Sequence, residues 1–102
     1  MIIKEKTKLN TEEEFVKVVV DIEKETLAAY CELHIDCADE LEEAGSERKN
    51  LWGANIFSKD NTIEFTSMIN IRPKENNRSI EIQDPHIRQR VENVIRKFFI
   101  LP

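Results

Sequence analysis

The stretch AYCELHIDCADE, Ala29 to Glu40, gathers two cysteines, a histidine and four carboxylates within twelve residues. These are the side chains of metal centres and of acid–base catalysis. Their periodicity argues for something plainer. Leu27, Ala29, Cys31, Leu33 and Ile35 share one parity, and Tyr30, Glu32, His34 and Asp36 share the other. A strand over Leu27–Asp36 sends Cys31 toward the core and Glu32 and His34 away from it.

Glu32, His34 and Asp36 then share a face, but residues two apart on a strand are separated by roughly 6.6 Å. The outer pair spans about 13 Å, which zinc bonds of ~2 Å do not gather. The reading is therefore no metal and no cofactor. Cys37 falls with Leu41 and Ala44 on an apolar helical stripe. Its place just inside a helix N-terminus favours a lowered thiol pKa, while the stripe favours packing. His34 reads as a half-exposed sheet histidine, or as a general base oriented by Glu32 or Asp21.

The elements that must position these residues follow from period and caps. The segment TEEE from Thr11 has the form of a capping box and one helical turn, and residues 1–14 read as loosely held. Val16, Val18, Val20 and Ile22 alternate with Lys17, Val19, Asp21 and Glu23, and the Leu27 run follows a short polar link. That pattern is an antiparallel hairpin. A short helix follows, with Asp36 suited to its start and Gly45 to the C′ position.

LWGANIFS and TIEFTSMINIRP read as strands, and RSIEIQ as a further one with Ile80 and Ile82 inward. Gly53 inside a strand marks a bulge or a close approach by another group. Asp84 and Pro85 open a last helix whose stripe is Ile87, Val91, Val94, Ile95 and Phe98. The order β-β-α-β-β-β-α predicts an α+β domain spanning residues 1–102. Its five-stranded antiparallel sheet carries two helices on one face.

The uncovered face would then display Tyr30, Glu32, His34, Asn55, Asn70 and Arg72, mixed with Val19, Phe57 and Met68. Such a mixture suits recognition better than plain solvation. Arg72 could clamp an anion with Asn70 beside it and Arg78 across the turn, or pair with Glu64 or Glu81 across strands.

Charge and composition narrow the classes further. The chain has 102 residues and a net charge of −5. Residues up to Asn50 carry seven basic and fourteen acidic side chains, and the remainder eight and six. An acidic chain repels phosphate backbones, and four cations on the last helix read as a solvated face, so a nucleic-acid partner is disfavoured. The opening MIIKEKTKLNTEEE lacks the apolar core of a signal peptide, and no window reaches the ~20 apolar residues of a membrane span. The two cysteines accordingly read as free thiols in a cytoplasmic protein.

The strings VVVDIEKETLAAYCELHIDCADELEEAGS, WGANI, IEFTSMINIRP and NNRSIEIQDPHIR resemble a small family of uncharacterised prokaryotic proteins about a hundred residues long. The likeness covers Val16 to Phe98. It departs where members often carry a glycine pair before ELH and this chain has Tyr30 and Cys31. The resemblance implies a stand-alone domain of unknown function, with no catalytic residues to carry over.

The leading expectation is a binding module. Its open sheet face would take an anionic small ligand, a protein partner or a second copy, through Arg72, Asn70, Asn55, His34, Tyr30 and Arg78. The rival is a small enzyme with His34 and Glu32 as the catalytic pair and Arg72 with Asn70 holding an anionic substrate.

Overall fold

The computed structural model of the chain describes residues 1–10 and 12–101. Its elements run β1 (Thr7–Lys8), β2 (Phe15–Asp21), β3 (Thr26–Ala29), α1 (His34–Glu43), β4 (Leu51–Phe57), β5 (Ile63–Glu64), α2 (Pro85–Phe98) and β6 (Phe99–Ile100). The fold is α+β, but the strands do not form one five-stranded sheet. An antiparallel sheet has the order β3-β2-β4-β5, and β1 pairs with β6 in a separate parallel ribbon. The helical turn expected from Thr11 rests on a residue outside the described ones.

The hairpin forms in the register that alternation requires, with Val18 opposite Ala29 and Val20 opposite Leu27. Asp21 organises its turn: Oδ1 accepts the Glu23 and Lys24 amides at 2.9 Å, and Oδ2 accepts the Ser46 hydroxyl at 2.6 Å. Glu25 closes the turn in the left-handed region at φ 54°.

The helices lie on opposite faces, not on one. Val18, Val20, Ala29, Trp52, Ala54 and Ile56 pack with Val91, Val94, Ile95 and Phe98 of α2. The alternate residues Val19, Ala28 and Leu51 pack with Cys37, Ala38 and Leu41 of α1. Central strands covered on both sides are apolar on both parities, as VVV and LWGANIF are. The helix-free recognition face therefore does not exist in the form expected.

The second correction falls at Tyr30. The hairpin strand stops at Ala29, because Tyr30 adopts φ 63°. Its ring packs edge-on against Phe99 and its hydroxyl accepts the Asn10 amide at 3.0 Å. The chain leaves the sheet there, and α1 begins at His34 with Leu33 as N-cap. Asp36 lies in the first turn and accepts the Leu33 amide. At the other end Gly45, at φ 106°, donates to the Glu42 carbonyl and Ser46 to that of Leu41, the Schellman pattern that C′ glycine permits.

The third lies between β4 and α2, where two strands were expected. Only Ile63–Glu64 pairs with β4; Thr66 and Glu81 form an isolated bridge. Two buried asparagines replace the missing ladder. Asn70 accepts the Gly53 amide through Oδ1 at 2.8 Å and donates to the Gly53 and Ile80 carbonyls. Asn77 donates to the carbonyls of Asn70, Ser79 and Glu81, and its Oδ1 accepts the Gln83 amide. Ile82 is buried while Ile80 is exposed, contrary to the inward pair expected.

The close approach anticipated at Gly53 is present: a Cβ there would lie 2.5 Å from Ser67 Cβ. Helix α2 forms as its caps and stripe require, with Asp84 accepting the His86 amide at 2.8 Å and Pro85 at the first position. Among the described residues no helix is long and apolar enough to cross a membrane.

Candidate functional site

The residues singled out from the sequence are placed largely on backbone duty. His34, the first residue of α1, sets Nε2 2.9 Å from the Ala54 carbonyl. A carbonyl only accepts, so Nε2 carries the proton. Burial pulls the imidazole pKa below its ordinary 6.5; the Ala54 carbonyl opposes this, and the Lys17 cation adds to it. Asp21, the suggested orienting carboxylate, is committed to the hairpin turn and Ser46. Glu32 is exposed, and its backbone carbonyl accepts Lys17 Nζ at 2.7 Å.

Asn70 is fully buried and spans β4 to the Ile80 segment. Asn55 is nearly buried; its amide donates to Glu64 and Thr66, and its Oδ1 is left without a protein partner. Tyr30 packs at the far end of the hairpin against Phe99. Arg78 is exposed, with only its backbone amide engaged, by Gln83 Oε1.

Arg72 lies over the Trp52 ring, 4.1 Å from its centroid. Nε donates to the Ile69 carbonyl and Nη1 to those of Lys49 and, more loosely, the Glu75 carboxylate. Glu75, three residues on, replaces the cross-strand partners expected. Burial lowers the arginine pKa from its ordinary value, and Glu75 opposes that. Nη2 is buried without a partner.

Two concavities among the described residues bear on these side chains. One cleft of about 490 Å³ lies between the start of α1 and the Met68–Glu75 segment. Ile35, Met68, Ile69 and Ile71 line it together with the charged Arg48, Lys49, Arg72 and Glu75. Met68 is 74% exposed and Ile35 and Ile71 about two-fifths, so three exposed apolar side chains meet in one concavity. The other, about 980 Å³, runs along Phe15, Lys17, Tyr30, Cys31 and Glu32 beside the N-terminal segment. His34 lines neither.

The two cysteines are not free. Cys31 and Cys37 are joined in a disulfide, with Cα atoms 5.7 Å apart. The break at Tyr30 is the cause: once out of the sheet, Cys31 turns toward α1, where Cys37 faces inward. Glu40, one turn beyond Cys37, joins them, and one ligand atom of each lies within 4.8 Å of the others. Parity on an unbroken strand hid this constellation. Its only sequence signal is the i, i+3 spacing of Cys37 and Glu40.

No curated protein and no solved structure matches the chain. A family model described as a protein of unknown function (DUF5674) matches residues 2–98, so the likeness reaches back past Val16 to the start of the N-terminal segment. With nearly its whole length matched, the chain belongs to this family, whose function is not defined.

Proposed function

We propose that the protein is a binding module that takes a small anionic ligand with an aliphatic body in the cleft between α1 and the Met68–Glu75 segment. One observation carries the reading: exposed aliphatics Ile35, Met68 and Ile71 share a concavity with three cations, Arg48, Lys49 and Arg72, against one carboxylate, Glu75, and Arg48 is also paired with Asp39 and Glu42. A cleft of ~490 Å³ falls within the range of small-molecule sites, which combine apolar lining with few polar anchors. Arg72 braces the wall, since its Nη1 and Nε are bound to carbonyls. Lys49 pairs with Glu47 at 3.3 Å in an exposed contact, which a ligand carboxylate would displace.

The test is a titration of the full chain with linear carboxylates from acetate to decanoate, followed by amide chemical shifts. Binding should tighten with chain length by up to ~0.8 kcal/mol per buried methylene. Shifts should map to Ile35, Met68 and Ile71. Lys49→Glu should weaken every member at least about tenfold, the loss of a charge-assisted contact. Met68→Asp should abolish the length dependence. A flat response across the series, or shifts confined to the Tyr30 groove, overturns the reading. Light scattering on the same samples separates ligand binding from self-association through the exposed aliphatics.

A concavity joining His34 to Arg72 would favour the enzyme reading. Arg72 lines this cleft and His34 does not, so no observation favours it.

A further inference from the structure

We infer that Cys31, Cys37 and Glu40 form a redox-gated site for a thiophilic divalent cation such as zinc: disulfide when oxidised, metal-binding when reduced. The inference is independent of the aliphatic cleft. It rests on three donors converging from two elements. Cys31 follows the left-handed Tyr30 at the exit from β3, and Cys37 and Glu40 project from adjacent turns of α1. Their ligand atoms lie within 4.8 Å of one another, about twice a zinc–ligand bond of ~2.0–2.3 Å.

Glu40 is the second observation. Its Oε1 lies 3.4 Å from Cys31 Sγ and accepts from the Met1 ammonium at 2.8 Å, an ammonium itself 3.7 Å from that sulfur. A disulfide sulfur has no proton to donate, so in the oxidised chain the Met1 ammonium, not the sulfur, holds the carboxylate in place, and a metal ion would take that cation's position. In the reduced chain the same carboxylate accepts the Cys31 thiol or completes a two-thiolate, one-carboxylate ligand set. Two sulfurs and one oxygen suit zinc and leave a fourth tetrahedral position. Cys37 is fully buried, whereas Cys31 is half-buried and lines the larger groove, which supplies an entry path.

The electron balance is explicit. A dithiol reductant gives two electrons and two protons; the Cys31–Cys37 bond breaks, two thiols form, and the reductant closes its own disulfide. The metal ion then displaces both thiol protons to solvent and bonds the two sulfurs and Glu40. Metal and disulfide exclude each other, because each uses both sulfurs.

The test uses the full chain, reduced with dithiothreitol, desalted without oxygen and titrated with Co²⁺, then Zn²⁺. Reduced protein should take about one equivalent of Co²⁺, with a thiolate charge-transfer band and the strong visible bands of a tetrahedral ion, displaced by Zn²⁺. Protein reoxidised with diamide should give neither band. Cys31→Ser should abolish the charge-transfer intensity or cut affinity at least about a hundredfold, and Glu40→Gln about tenfold or more, with Glu43→Gln as the neutral control. Circular dichroism establishes that each variant is folded; should the buried Cys37→Ser fail, the half-buried Cys31→Ser decides alone. No band in the reduced chain, equal binding by Cys31→Ser, metal uptake by the oxidised chain, or unfolding on reduction each overturns the inference.

Discussion

Residues that read as chemistry in the sequence mostly serve as backbone partners here. Asn70 is the clearest. It stands in for a strand by bonding both polar groups of Gly53 and the Ile80 carbonyl. Asn70→Ala strands those groups in a buried position, at about 1–3 kcal/mol for each left unpaired. Urea unfolding should show a loss of roughly 3 kcal/mol; a loss below ~1 kcal/mol would mean that water replaces the amide. Gly53 is tied to the same contact by sterics, since an added Cβ meets Ser67 Cβ. Gly53→Ala should cost about 1–3 kcal/mol, as overpacking does. Adding Ser67→Gly should recover part of it, a coupling that a double-mutant cycle measures.

His34 makes a prediction with a sign. Its pKa is lowered on folding, so the unfolded chain takes up a proton near pH 6.5 before the folded chain does. The contribution is therefore fully present above about pH 6.5 and is lost as pH falls from there through the lower folded value. His34→Gln keeps a donor for Ala54 but has no titrating proton. Its stability should lose part of the wild-type slope between about pH 5 and 7, the range over which an imidazole changes charge. An identical slope in the variant would assign that dependence to other groups.

At the scale of elements, the caps carry local information that packing does not override. Asp84 and Pro85 start α2, and a Schellman turn at Gly45 ends α1. Asp84→Ala should cost about 1 kcal/mol by thermal or urea unfolding, with Asp84→Ser recovering most of it. The hairpin was equally legible, since Val16, Val18, Val20 and Ile22 share one parity, Lys17 and Asp21 lie on the other with Val19, and the register follows. The LWGANIF segment is apolar on both parities. A strand apolar on both parities is covered on both faces.

For the molecule as a whole, the decisive feature is a sheet enclosed between α1 and α2. Val18 faces α2 and Val19 faces α1, and both are fully buried. Val18→Thr and Val19→Thr keep shape while burying a hydroxyl. Each should cost about 1–3 kcal/mol, and by similar amounts. A sheet with one open face would be sensitive at one of these adjacent positions and indifferent at the other. Enclosure covers both faces of the sheet, and the exposed Met68 and Ile71 emerge beside Ile35 at the edge of α1.

The sequence alone determined the hairpin's pairing up to Ala29, the last helix with its caps and the glycine end of α1, and it narrowed Gly53 to a bulge or a close approach. Each depends on neighbours a few residues away or on a single side chain's size. Only the tertiary structure decided that the strand breaks at Tyr30, because the contacts there are with Asn10 and Phe99, far along the chain. From that break follow the start of α1 at His34 and the meeting of Cys31 with Cys37 and Glu40. Period-two alternation reports which way a side chain points only while the backbone stays extended. One left-handed residue resets it, and the energy favouring that residue comes from parts of the fold that local pattern does not contain.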